Sequence, residues 1–445
     1  MSQSPQVKGA KAAMFLLLAI NLFNYIDRQV LAAVVPQIKQ EILTNTEHTG
    51  FVGFLLKFFG YFLGNNPENT MVGILPMAFL VSYTILSPVL SSLPVKRWWI
   101  IAGGITVWSL ASGASGLALT FGGLLLTRAL VGVGEAAYGP VAPSILSDYF
   151  PVEKRGMALS WFYIAIPVGS ALGYVLGGVI GGDFGWRAAF YAVVPPGLLL
   201  AILCLFMRDP MDTLALVRKK ADKEAKPQVE KAGRYALYKR FLANRSYFYN
   251  TAAMTAMTFA IGGIGFWIPT YFHEYRQAGS LESINLTFGG ILVAAGLLGT
   301  LSGGYVADKL RSKLSGSYFK VSGIAMVLAF PLSLGMLYAP FPFAWVFVFL
   351  ACFCLFFNTG PSNTALANVI EPHLRPSAFA LNILIIHLFG DVMSPLAIGA
   401  ITDATGNNMT AAFLVVSFMV LVGGIAWLFG ARHLDADTAR ISEQH

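Results

Sequence analysis

Four ionisable side chains lie in two stretches that are otherwise apolar enough to cross a membrane. Asn24-Tyr25-Ile26-Asp27-Arg28 sits in the run Met14–Val35, and Arg128-Ala-Leu-Val-Gly132-Val-Gly134-Glu135 sits in another. A charge in a bilayer core costs several kcal/mol unless it is paired or hydrated. Arg128, Gly132 and Glu135 stand at i, i+4 and i+7, so they share one helix face two turns long, with Gly132 leaving open space between the charges. A carboxylate in a dry cavity is driven toward its protonated form, and a neighbouring arginine pulls it back. Moving that arginine onto an anionic substrate would release the carboxylate to take a proton. This chemistry makes Asp27 or Glu135 the proton carrier and Arg28 or Arg128 the anion ligand, with Asn24 beside them as a substrate-binding group. The competing reading is a static ion-pair network that locks helices together.

A second polar pair, His387 and Asp391, is spaced four residues apart on one face of a later apolar stretch. It reads as a hydrogen-bonded pair with a secondary role in substrate or proton binding, because a metal site needs at least one more ligand. Cys204, Cys352 and Cys354 all fall in apolar runs and offer neither a disulfide framework nor thiolate metal spacing. Gly132-Val-Gly134-Glu-Ala-Ala137 resembles a dinucleotide fingerprint only formally, since no strand precedes it. No metal, cofactor, histidine box or nucleophile with a base is expected, which argues against a membrane-embedded lipid-modifying enzyme. A third set of charges lies where helices should end at the cytoplasm: Asp148 to Arg155, Asp308-Lys309, and Glu371 to Arg375. Opposite charges there can clasp two halves together and part when a pathway opens inward, which makes Asp148, Arg155, Asp308, Lys309 and Arg375 candidate gate residues.

The elements that must position these groups are membrane helices. Of 445 residues, 56% are hydrophobic and only 12% charged, and mean hydropathy is +0.65, too little charge to cover a soluble protein. Apolar runs of spanning length predict twelve helices, at 13–35, 70–92, 98–119, 121–147, 156–181, 188–206, 246–272, 284–307, 318–338, 342–368, 376–402 and 410–430. The first is no signal peptide, since it carries Asn21, Asn24, Asp27 and Arg28 and lacks a cleavage site. The net charge of +8 does not call for nucleic acid. With both termini cytoplasmic, 24 of the 30 Lys and Arg fall on the cytoplasmic side, as the positive-inside rule requires.

The predicted organisation is an N-terminal six-helix bundle (1–207), a basic cytoplasmic linker (208–245) and a C-terminal six-helix bundle (246–445). The halves echo one another. Arg155-Gly-Met-Ala158 and Asp183 bracket the fifth span, Arg375-Pro-Ser-Ala378 and Asp403 bracket the eleventh, and Gly139-Pro140 recurs as Gly360-Pro361. Such a repeat places a substrate site near the midplane between the halves. Gly169, Gly173 and Gly177 form a stripe for close helix packing, and Pro140, Pro143, Pro167, Pro269, Pro361 and Pro395 can kink their helices. The first outer loop carries an apolar run from Phe51 to Leu63, too short to span, which is expected to lie at the outer membrane interface or to act as a lid.

The sequence resembles a major facilitator superfamily transporter, and more narrowly the Spinster family. The superfamily loop motif is visible in Gly304-Tyr-Val-Ala-Asp308-Lys309, and the outer connection in Gly185-Trp186-Arg187-Ala-Ala-Phe190. The narrower match rests on Asn24 to Arg28, on Arg128 to Glu135, and on Phe162-Tyr-Ile-Ala-Ile-Pro167-Val-Gly-Ser170-Ala-Leu-Gly-Tyr174. The resemblance implies proton-linked alternating access for amphipathic lipids such as sphingosine phosphate or lysophospholipids, with Asp27, Arg28, Arg128 and Glu135 in the central site. One departure stands out. Where the N-terminal copy of the loop motif belongs, the chain reads Val89-Leu-Ser-Ser-Leu93-Pro94-Val-Lys96-Arg97. The usual glycine and aspartate are replaced, which bears on how firmly an outward-facing state is held. A secondary transporter of an anionic amphipathic lipid, monomeric and in a bacterial inner membrane, is the resulting expectation. A polar organic anion is the alternative cargo, and a channel is a more distant rival.

Overall fold

The structure, a computed structural model, describes residues 9–44, 50–64, 67–91, 93–150, 152–209, 234–372 and 374–442, without the side chains of 152–156, 160, 234–236 and 376. Eleven helices among the described residues are long and apolar enough to cross a membrane. In chain order they are span 1 (Ala10–Ala33), span 2 (Glu68–Ser91), span 4 (Phe121–Tyr149), span 5 (Met157–Phe184) and span 6 (Trp186–Leu205). Span 7 (Arg245–Tyr275), span 8 (Leu281–Leu310), span 9 (Ser317–Tyr338), span 10 (Phe343–Asn368), span 11 (Ser377–Ala404) and span 12 (Met409–Ile441) follow. Span 3 (Arg97–Gly116) completes twelve; it carries Ser109, Ser112 and Ser115 among its buried residues.

The expected breaks have specific causes. Span 4 is two helices, Phe121–Tyr138 and Val141–Tyr149, parted at Gly139-Pro140, where the ring removes a ladder hydrogen bond. Pro167, by contrast, sits inside a continuous helix. Span 11 breaks at a π-type turn, His387–Asp391, where Gly390 leaves helical geometry at φ −99° and ψ −105°. The last helix runs on to Ser442, 34 residues in all. At 1.5 Å per residue that is about 50 Å, well beyond a bilayer core of about 30 Å, so its polar end was lost to a reading based on hydropathy.

The residues fall into two compact units. The first contains Met1–Phe54, Ile74–Val229 and Gly279–Gly289, and the second Leu55–Gly73, Glu230–Ala278 and Gly290–His445. The start of span 2 thus belongs with the C-terminal helices, and the start of span 8 with the N-terminal ones. In the first unit, Trp98, Trp108, Tyr138, Tyr149 and Phe162 build an aromatic core with Leu17, Ile20 and Ile105. The helix Gly50–Leu63 has no buried residue, and Phe51, Phe54, Tyr61 and Phe62 are all exposed. The basic linker lies largely outside the described residues.

Candidate functional site

Close backbone approach sets up the N-terminal site. A Cβ on Gly169 or Gly173 would come within 2.5 Å of Leu22 O or 2.6 Å of Ile26 O, and one on Gly177 within 2.6 Å of the Ala33 Cβ. The glycine stripe therefore lays span 5 directly on span 1, as small residues do in membranes. Asn21 Nδ2 fixes the register by donating to Phe162 O at 2.9 Å. Gly132 does a different job from the one its spacing suggested. A Cβ there would lie 2.1 Å from Ser82 Oγ and 2.2 Å from Phe79 O, and Ser82 Oγ donates to Ala129 O at 2.8 Å. The space between Arg128 and Glu135 is thus filled by span 2 rather than left open.

Those contacts bury the charges and sort them into two sets. Glu135 is 1% exposed and accepts from Arg28 Nε at 2.8 Å and Nη2 at 2.5 Å, both on Oε2. The Arg28 guanidinium also lies 4.8 Å over the Phe79 ring, 5.0 Å over Tyr25 and 5.7 Å over Tyr83, an aromatic cage suited to a cation. Buried Asn24 approaches the same carboxylate. Asp27 is separate: its Oδ1 accepts from the Ser112 hydroxyl, while Oδ2 is buried with no hydrogen bond.

Arg128 differs again. It donates to Ser115 Oγ from Nε at 3.1 Å and Nη2 at 2.5 Å and stacks 4.9 Å over Phe190. It acts on Asp27 and Glu135 electrostatically, yet no described carboxylate lies within ion-pair distance of it. The four charges are therefore one closed pair and two unclosed groups, rather than a fully paired network.

In the second unit, His387 Nδ1 and Asp391 Oδ2 are 2.9 Å apart, partly exposed, at the break in span 11. The break is held by Thr258 Oγ1, which donates to Ile386 O at 2.9 Å. A π-type turn frees backbone groups and is common at functional sites. The proline at 395 was the legible signal for a kink here; the glycine five residues earlier carries it.

Four of the gate candidates have described partners near them in the chain or in their own unit. Arg97 bridges Asp148, at 2.7 Å, and Asp209, while Ser144 Oγ lies 3.2 Å from it. Asp308 accepts from Tyr318 Oη at 2.8 Å, Lys309 lies 5.7 Å over Tyr305, and Arg375 donates to Ala367 O at 2.8 Å. The Arg155 side chain lies outside the described residues. A cluster that sequence reasoning passed over stands at the start of span 2. Asp403 accepts from Thr70 N at 2.7 Å, Thr70 Oγ1 at 2.6 Å, Asn69 Nδ2 at 2.8 Å and Asn69 N at 3.4 Å. Asn69-Thr70 before an apolar run was a visible helix-start signal, though its partner was not.

Comparisons with known proteins agree with this architecture. Residues 17–390 match the Major Facilitator Superfamily. A probable sphingolipid transporter of Arabidopsis thaliana, spinster homolog 2, is 30% identical over 94% of this chain and 86% of its own. Human protein spinster homolog 1 is 30% identical over 95% of this chain and 80% of its own. Among solved structures, a bacterial homologue of the human lysosomal transporter Spinster, in an inward-facing and unoccupied conformation, superposes with a TM-score of 0.73 at 19% identity, covering 99% of both chains. A D-xylose–proton symporter reaches 0.67 at 14% identity, over 93% of this chain and 96% of its own.

Proposed function

Given that the chain belongs to the Spinster family of the major facilitator superfamily, a family of transporters rather than enzymes, we propose that it is a proton-coupled carrier of an anionic amphipathic lipid. The cargo is of lysophospholipid or sphingosine-phosphate type, moved by alternating access. The observation that carries this reading is Arg128, a buried cation whose neighbours are a serine, an aromatic ring and no contacting carboxylate. A buried charge without a direct partner is costly, so an arriving phosphate would gain both its guanidinium hydrogen bonds and its charge. Arg28 is already spent on Glu135.

In this scheme Arg128 holds the headgroup, Asp27 and Glu135 exchange protons, and Asn24 offers its amide to the cargo. His387 and Asp391 supply a second polar contact to cargo, while Asp148, Arg155, Asp308, Lys309 and Arg375 act at the cytoplasmic gate. The protein works as a monomer in a bacterial plasma membrane, with both termini cytoplasmic. The sphingolipid assignment of the plant relative supports the lipid class. The test is uptake of a labelled lysophospholipid into proteoliposomes, with sphingosine phosphate and a sugar acid as competitors. Competition by sphingosine phosphate alone, lost in Arg128→Gln, supports the reading. Competition by the sugar acid overturns the lipid class.

A further inference from the structure

A small cavity lies behind Asp27 in the first unit, lined by Phe23, Asp27, Trp108, Ser109, Val193 and Gly197. It leaves about 10 Å³ in which the centre of a water molecule can sit, room for one. Two of its lining atoms are buried polar oxygens without a hydrogen bond, Asp27 Oδ2 and Ser109 Oγ, each in a residue only 2% exposed. Ser109 precedes Ser112 by one turn of span 3, so the two hydroxyls address the two oxygens of one carboxylate from the same helix face. Gly197 lets the Ser109 hydroxyl reach the cavity wall, since a Cβ at that position would come within 2.1 Å of Ser109 Oγ and push it aside.

We propose that this cavity is a binding site for a single water molecule held between Asp27 Oδ2 and Ser109 Oγ, serving both protonation states of Asp27. With the carboxylate ionised, the water donates to Oδ2 and accepts from the Ser109 hydroxyl. With the acid protonated, the Oδ2 hydroxyl donates to the water oxygen, and the water turns to donate to Ser109 Oγ. Ser112 is engaged with Oδ1, Arg28 on its own helix is bound to Glu135, and Arg128 of span 4 acts only at a distance. Span 6 presents Val193 and Gly197 to the same cavity.

The proton-carrying role of Asp27 is the reading on which this rests, and the two fail separately. The test is infrared difference spectroscopy of the purified protein across a pH titration, in ordinary water and in H₂¹⁸O. An O–H stretch that moves on ¹⁸O substitution, follows the Asp27 carbonyl band, disappears in Gly197→Ala and shifts in Ser109→Ala supports the site. Absence of such a band from the wild-type protein, or its survival unchanged in Gly197→Ala, overturns it. Ser109→Ala keeps the test sharp should the glycine variant fold poorly, because a band indifferent to loss of that hydroxyl also refutes the bridge. Gradient-driven flux that persists in Asp27→Asn would refute the carrier role alone, whatever the water band does.

Discussion

Replacing Asp403 with Asn should loosen the first turn of span 2 and little else. The carboxylate sits at the first turn of that helix, where backbone N–H groups lack intrahelical partners and the dipole is positive. Both of its oxygens are used: Oδ2 takes the N–H and hydroxyl of Thr70 at 2.7 and 2.6 Å, and Oδ1 takes Asn69. Asparagine can keep one oxygen as acceptor, but its amide NH₂ must then face donors. A hydrogen bond to a charged group contributes about 1.5–3 kcal/mol, and charge at a helix start about 0.3–1 kcal/mol. A loss of about 2–3 kcal/mol, roughly 30- to 150-fold in local opening, follows at 1.4 kcal/mol per decade. Hydrogen exchange read by mass spectrometry on a peptide covering 67–75 should show that acceleration, with span 9 unchanged as an internal control. Exchange at 67–75 within threefold of wild type would refute the reasoning.

Removing the charge in Glu135→Gln leaves Arg28 without its counter-ion, at a cost of about 2–3 kcal/mol. That is below the 3–5 kcal/mol of a fully buried pair, because Arg28 keeps its aromatic cage and some exposure. The double variant Arg28→Met, Glu135→Met should recover most of the thermal stability in detergent without recovering transport; a double variant as unstable as the single one would show that the pair was not the cause. Gly132→Ala should cost at least 1–3 kcal/mol by overpacking, about the usual range, since its Cβ meets backbone at Phe79. An unchanged melting temperature would contradict that packing. His387→Gln should weaken apparent affinity for lysolipid while leaving expression and stability unchanged, and unaltered uptake kinetics would remove His387 from the cargo site.

The spans were legible because each must bury about 20 apolar residues, and the four central charges were legible because charge in such runs is expensive. What the sequence hid is pairing. Spacing put Arg128 and Glu135 on one face, yet Glu135 binds Arg28 of another helix, and Gly132 accommodates span 2 instead of a gap. The internal repeat made Asp183 and Asp403 look equivalent, but Asp183 is exposed while Asp403 is buried against a helix start. Repeats preserve where a residue falls along the chain; the partner depends on a packing that periodicity does not encode. The break in span 11 followed the same pattern, with the glycine at 390 outweighing the more conspicuous Pro395.

The most direct test of the central claim is proton-gradient-driven flux of labelled lysolipid in proteoliposomes, comparing wild type with Asp27→Asn and Glu135→Gln. Flux should rise with the imposed gradient and lose that dependence in at least one variant while the protein stays folded. Lysolipid flux indifferent to the gradient and to both substitutions would contradict it, leaving the buried carboxylates as structural groups.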